Sequence, residues 1–222
     1  MGIDTRPAPS PDKALSTPRA AGLAGILFGL LLGAAIVLVR IAVPEQPAPA
    51  GPWLTDSSRR NAVQVALDLV PFAGISFLWF LAAIQDRIGE REDRFFATVH
   101  LGSGLVFVAV LLCAAAAAGD MLDTAGAADP RPGGFGHSFA YTLLTEYSMR
   151  MAAVFTFCTS AIGRRLHVLP RTLVWFGWLV GLALIVAAGN VAWLELAFPL
   201  WAMVLGGYVL GAGFGRTAPG SG

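Results

Sequence analysis

Six long apolar runs set the limits on what this chain can fold into. They cover residues 21–43, 61–84, 95–118, 138–162, 172–188 and 191–214. An α-helix rises about 1.5 Å per residue, so about 20 apolar residues cross about 30 Å of hydrocarbon. Inside that layer every backbone polar group needs an internal partner, and a helix supplies its own. The expected fold is therefore all-α, an integral membrane helical bundle with six transmembrane helices. Composition points the same way. Hydrophobic residues make up 56% of the chain and charged residues 13%, against about 25% charged in soluble domains.

Residues 1–20 are polar and rich in proline, which reads as a disordered cytoplasmic tail. Residues 21–215 form the transmembrane domain, and 216–222 a short C-terminal tail. The first run exceeds the about 7–15 apolar residues of a signal-peptide core, so it reads as a span. Cleavage near Ala48-Pro49-Ala50 is the alternative. Little more than Gly189-Asn190 parts the last two runs, and that pair is turn chemistry. A tight helical hairpin there makes six spans; a pair that dips and returns makes five. The loops 44–60 and 119–137 are too small to bury cores of their own.

Charge orients the chain. Arg6, Lys13, Arg19, Arg87, Arg91, Arg94, Arg164, Arg165, Arg171 and Arg216 fall in alternate segments, whereas Arg40, Arg59, Arg60 and Arg131 fall in the others. Basic residues gather in cytoplasmic loops, so ten against four puts both termini inside. The mixed-charge loop 85–94 reads as a solvated, salt-bridged turn, with a docking or gating site as the alternative. Net charge is +1, which offers no field for nucleic acid. The fourteen arginines against one lysine, with abundant Ala, Gly and Pro, carry the coding bias of a GC-rich bacterial genome.

Gly25, Gly29 and Gly33 recur every four residues on the first helix, a groove that lets another helix approach closely. Packing within the chain is the first reading. The second is a homo-oligomer, or a membrane-protein partner, docked on that stripe. The six tryptophans mostly fall near expected helix ends, where indole rings settle at headgroup level.

The ionisable residues within the runs carry the most information. Such groups cost about 2.5–3.5 kcal/mol at mid-membrane on insertion scales and are functional candidates by default. Asp68 stands about seven residues into the second helix, Glu146 about eight into the fourth and Glu195 about four into the sixth. In the six-span topology all three share the outer half of the bilayer. Arg150 is one turn deeper and Arg40 closes the first helix. Glu146 and Arg150 have the i, i+4 order that pairs them on one face. Asn61, Gln64 and Asp68 follow one stripe. Pro71 and Pro199 stand near the acids as expected kinks. The candidate binding residues are thus Asp68, Glu146, Arg150, Glu195 and Gln64. In the structural reading Glu146 neutralises Arg150, Asp68 pairs with Arg40 or Arg59, and Glu195 faces outer water. In the functional reading the layer lines an outward cavity for a cation, proton or small polar ligand of unknown identity.

Other chemistry finds little footing. His100 lies near the inner end of the third helix, before Gly102-Ser103-Gly104. Membrane haem needs paired intramembrane histidines, and His137 and His167 fall in or beside loops. A serine nucleophile at Ser103 lacks a second buried histidine to activate it. Arg131-Pro132 and Gly136-His137 match fragments of a membrane lipid phosphatase pattern whose remainder is missing. Cys113 and Cys158 lie inside apolar runs and act as small hydrophobes. No catalytic group, cofactor or metal ligand set follows from these residues.

One stretch carries a likeness. Pro71-Phe72-Ala73-Gly74, Trp79-Phe80, the segment from Asp86 through Arg87-Ile88-Gly89-Glu90-Arg91-Glu92-Asp93-Arg94 to Val99, and Gly102-Ser103-Gly104 resemble a group of small multi-pass membrane proteins of actinobacteria. The likeness covers about a fifth of the chain. It implies a plasma-membrane location and, because no biochemical role attaches to that group, nothing more. The expected function is that of a non-catalytic plasma-membrane protein with a buried polar layer. A small proton- or cation-coupled transporter is the alternative, and a membrane-embedded enzyme acting on lipid the third.

Overall fold

The computed structural model describes residues 11–42, 56–88, 94–124 and 139–214. Residues 1–10, the charged segment 89–93, the loop that holds Arg131 and His137, the Ala48-Pro49-Ala50 stretch and the end from residue 215 lie outside the described residues. Every regular element described is helical. They are α1 (Pro11–Ala42), α2 (Ser57–Ile88), α3 (Arg94–Thr124), α4 (Met149–Arg165), α5 (Arg171–Ala187) and α6 (Ala197–Phe214). A π-helical turn, Leu143–Ser148, leads into α4, and a 3₁₀ turn, Leu194–Leu196, leads into α6.

By length and composition four stretches can cross a membrane: Arg19–Ala42, Ser57–Asp86, Phe95–Asp120 and Leu194–Gly211. Arg171–Ala187 is a shorter apolar helix. α1 starts earlier than its apolar run, within the segment expected to be a tail. A proline is tolerated at the first helical position because its missing N–H has no partner there in any case. α2 runs on through Pro71. Pro199 is the third residue of α6, in a first turn where proline breaks no helical bond.

The outer faces are greasy. Leu23, Leu27, Leu30, Phe72, Ile75, Leu179 and Val186 are all exposed. So continuous an apolar girdle is a lipid-facing surface, far beyond the patches of a soluble monomer. Trp79 and Trp175 are exposed too, whereas Trp201 is only 1% exposed and belongs to the core.

In lipid, helices associate by close packing and polar contacts, because tails are as apolar as side chains. The core is accordingly a stack of rings. Phe77 meets Phe28 at 4.8 Å, Phe107 and Phe155 at 5.0 Å and Phe198 at 6.1 Å between centroids. Phe198 in turn stacks on Trp201. Five helices thus contribute to one aromatic centre.

α1 packs chiefly against α2 and α6. On α1 the working face is Gly22, Gly25 and Gly29. A Cβ on Gly22 would lie 2.7 Å from the Gly206 carbonyl oxygen, and one on Gly29 2.6 Å from that of Pro199. A Cβ on Gly25 would lie 2.7 Å from the Phe80 ring. Gly33 has no such neighbour within 4 Å. Gly25 and Gly29 therefore pack against the chain's own helices, as the first of the two readings has it, and a Cβ on Gly33 meets open space. Gly206→Ala puts a methyl 2.7 Å from the Gly22 carbonyl oxygen and 3.0 Å from the Ile26 nitrogen. Backbone cannot swing aside, so this substitution is expected to destabilise the fold by about 1–3 kcal/mol, read as a lower unfolding midpoint in detergent. Gly207→Ala next to it meets open space and serves as the control.

Candidate functional site

Two polar regions occupy the two ends of the bundle. One end collects the close of α1, the start of α2, the π turn and the entry to α6. The Arg40 guanidinium, in the last turn of α1, donates to Glu195 Oε1 at 2.5 Å. The side chains are 14% and 3% exposed. A cation at a helix C-terminus is favoured by the dipole, so both the helix and the acid hold Arg40. Glu195 Oε2 is buried with no protein partner among the described residues.

The shallow position of Glu195 had pointed to outer water, and the structure turns it inward. The cause is local. After α5 ends at Ala187, Gly189 takes φ +81° and Trp193 φ +69° before the 3₁₀ turn that carries Glu195. The chain reverses within this segment, and the tight turn aims the carboxylate at α1.

The Glu146–Arg150 pair forms as its spacing suggests, along one face of a single helix. It is only partly covered, with side chains 35% and 43% exposed. The π turn widens the helix at Glu146 and brings its carboxylate over the hairpin. A Cβ on Gly189 would lie 2.6 Å from Glu146 Oε1. Positive φ and close approach together make glycine the fitting residue there.

Asp68 and Gln64 do not join this group. Both are exposed, and Gln64 Nε2 donates to Asp68 Oδ1 at 3.3 Å along α2. Arg59 meets Asp56 at 3.4 Å, and Arg60 donates to the Leu122 carbonyl at 3.3 Å. The five sequence candidates therefore separate into a buried acid held by Arg40, a half-exposed pair, and an outward stripe. A stripe has a face, but periodicity alone does not say whether that face turns in or out.

The opposite end holds a polar cluster that sequence reasoning passed over. His100 is fully buried on α3 and stacks on Phe155, with ring centroids at 4.6 Å. Gln85 bridges α2 to α3. Its Nε2 donates to the Ala97 carbonyl at 3.3 Å, and its Oε1 lies 3.2 Å from His100 Nδ1. In that orientation Nδ1 is the donor, and Nε2 has no partner among the described residues. Ser160 Oγ and Trp201 Nε1 are likewise buried without partners, and both crowd the Gly177 Cα. Other buried hydroxyls close on their own helices: Thr156 to Ala152, Thr159 to Phe155 and Ser103 to His100. A buried polar atom without a partner costs about 1–3 kcal/mol; His100 and Trp201 both contact the Phe155 ring, and Ser160 faces Gly177 beside Trp201. The sequence signal was a histidine and a Thr-x-x-Thr-Ser stripe inside apolar runs.

Among the described residues, His100 is the one imidazole inside the bundle, and His167 stands at the turn between α4 and α5. Cys113 is exposed on α3 and Cys158 buried on α4. Comparison with protein-family models, with curated proteins and with solved structures gives no match in any of the three.

Proposed function

We propose that the chain is a non-catalytic, multi-pass protein of the plasma membrane with six spans and both termini in the cytoplasm. Its charged layer braces the bundle at the outer face. The observation that carries this reading is the buried Arg40–Glu195 pair. An acid 3% exposed, held by an arginine 14% exposed, is a closed contact between α1 and the entry to α6. A wet translocation path would need its carboxylates open to water, and the partly exposed acids lie on the helix exteriors instead.

Helix lengths support the span count. Arg19 and Arg40 on α1 stand about twenty residues apart, as do Glu146 and Arg165 on the fourth helix, each about 30 Å. α5 has 17 residues, at the lower limit for a span. The resemblance to small multi-pass membrane proteins of actinobacteria agrees with this location.

Topology is tested by single cysteines in a Cys113→Ala, Cys158→Ala background. Asn190→Cys is expected to react with an impermeant maleimide on intact cells. Ser10→Cys and Ser221→Cys are expected to react only after permeabilisation. Labelling of Asn190→Cys and Ser221→Cys from the same side would sink the six-span reading.

A proton- or cation-coupled transporter is the second reading, favoured by the unpartnered His100, Ser160 and Trp201 atoms. Reconstituted flux that is lost in His100→Gln and kept in Asp68→Asn supports it. A wild-type protein that passes no ions removes it.

A further inference from the structure

We propose that the turn between α4 and α5 binds the phosphate headgroup of an anionic phospholipid. A cleft of about 750 Å³ opens there, lined by Arg164, Arg165, His167, Arg171, Trp175 and Trp178 among others. Three guanidinium-bearing residues and no carboxylate face it among the described residues. The Arg165 guanidinium lies over the Phe96 ring at 4.5 Å, so Arg164 and Arg171 carry the argument.

The cleft is built for an anion. α5 begins at Arg171, directly after Pro170, with no side-chain cap. Its first amides point toward the turn at the positive end of the helix dipole, an arrangement that favours phosphate. The Arg164 guanidinium lies 5.2 Å from the Trp178 ring centre, and Trp175 meets Trp178 edge-to-face at 5.1 Å. The exposed, planar guanidinium is thereby held beside the cleft, and such a group can fork onto phosphate oxygens.

The rest of the lining separates a lipid from a free phosphate. Leu169, Val174 and the two indoles make the remaining wall apolar, and Trp175 is 65% exposed on the lipid-facing side. Indoles at headgroup level flank the first methylenes of an acyl chain. A basic pocket between helices at the cytoplasmic face is the recurrent form of an anionic headgroup site.

The turn also keeps an unfavourable residue. His167 adopts φ +55° where α4 ends. Its amide bonds the Arg164 carbonyl at 3.2 Å, and the Val168 amide bonds that of Gly163 at 3.1 Å. This is a Schellman end, whose left-handed position ordinarily belongs to glycine. The imidazole that results adds a further donor to the cleft wall.

The proposal rests on the cytoplasmic placement of this turn, so the assay is one that binding alone decides. The full chain in detergent is titrated with dioctanoyl phosphatidylglycerol, dioctanoyl phosphatidylcholine or inorganic phosphate, and tryptophan fluorescence is followed. Phosphatidylglycerol is expected to saturate a signal that phosphatidylcholine does not produce. Arg164→Gln with Arg171→Gln is expected to weaken it about ten-fold, and Arg164→Lys with Arg171→Lys to weaken it less, because charge is kept while the stacked fork is lost. An unchanged melting temperature shows that the variants are folded. Equal response to both lipids, or wild-type affinity in the double glutamine variant, overturns the proposal. Inorganic phosphate that binds as well as phosphatidylglycerol overturns the lipid assignment. Maleimide labelling reports the side of the membrane separately, so a failed topology and a failed headgroup site give different results.

Discussion

Arg40→Ala is expected to lower the stability of the folded chain by about 3–5 kcal/mol, the range for stranding one partner of a buried ion pair. Glu195 is 3% exposed, and its second oxygen has no protein partner among the described residues. Removing the guanidinium leaves a buried carboxylate that must draw in water or open the turn before α6. The double variant Arg40→Met, Glu195→Leu is expected to recover most of the loss, because an apolar pair of similar volume replaces a buried ion pair at little cost. Arg150→Ala is expected to cost about 0–1 kcal/mol, because both members of that pair are more than a third exposed or close to it. Equilibrium unfolding of the purified protein in mixed micelles measures all three. Equal midpoints for Arg40→Ala and Arg150→Ala would refute the buried pair as the brace.

Phe77→Ala is the second large effect, at about 3–5 kcal/mol. The ring is fully buried and meets four others, from α1, α3, α4 and α6. In a bilayer the loss is chiefly one of contact. Lipid tails cannot enter the centre of the bundle, so the cavity stays and its walls lose dispersion partners. Phe72, one and a half turns earlier, is 60% exposed. Its alanine variant exchanges protein surface for lipid and is expected to stay within about 0.5 kcal/mol of wild type. The same unfolding measurement ranks the two, and comparable losses would contradict the ring-stack core.

The helices were legible because hydrophobic run length is a one-dimensional property. Each apolar run contains a helix in the structure, and the Gly189-Asn190 pair marks the reversal between α5 and α6. The Glu146–Arg150 contact was legible for the same reason, since four residues on one helix fix a distance. What could not be read were relations across the bundle. Gly25 and Gly29 advertise a groove without naming what fills it; Phe80 of α2 fills it at Gly25, and Met203 and Pro199 of α6 fill it at Gly29. Asp68 belongs to a stripe whose direction depends on neighbours that periodicity does not specify. Glu195 was placed in water on depth alone, and a reversal of six residues with two left-handed positions turned it round. His100 and Trp201 stand on separate runs, and only the packing of α3, α4 and α6 brings both against the Phe155 ring.

The seam between α1 and α6 has a consequence for how the molecule is made. Arg40 leaves the ribosome long before Glu195, 155 positions later in the chain, and the glycine face of α1 has no α6 to meet until then. Until α6 is made, α2 can cover that face at Gly25 through Phe80, while Gly22, Gly29 and Arg40 lack their α6-side partners. A nascent chain stalled before α6 would be expected to remain a substrate for quality-control proteolysis, and release of the final helix would close the barrel of helices in one late step.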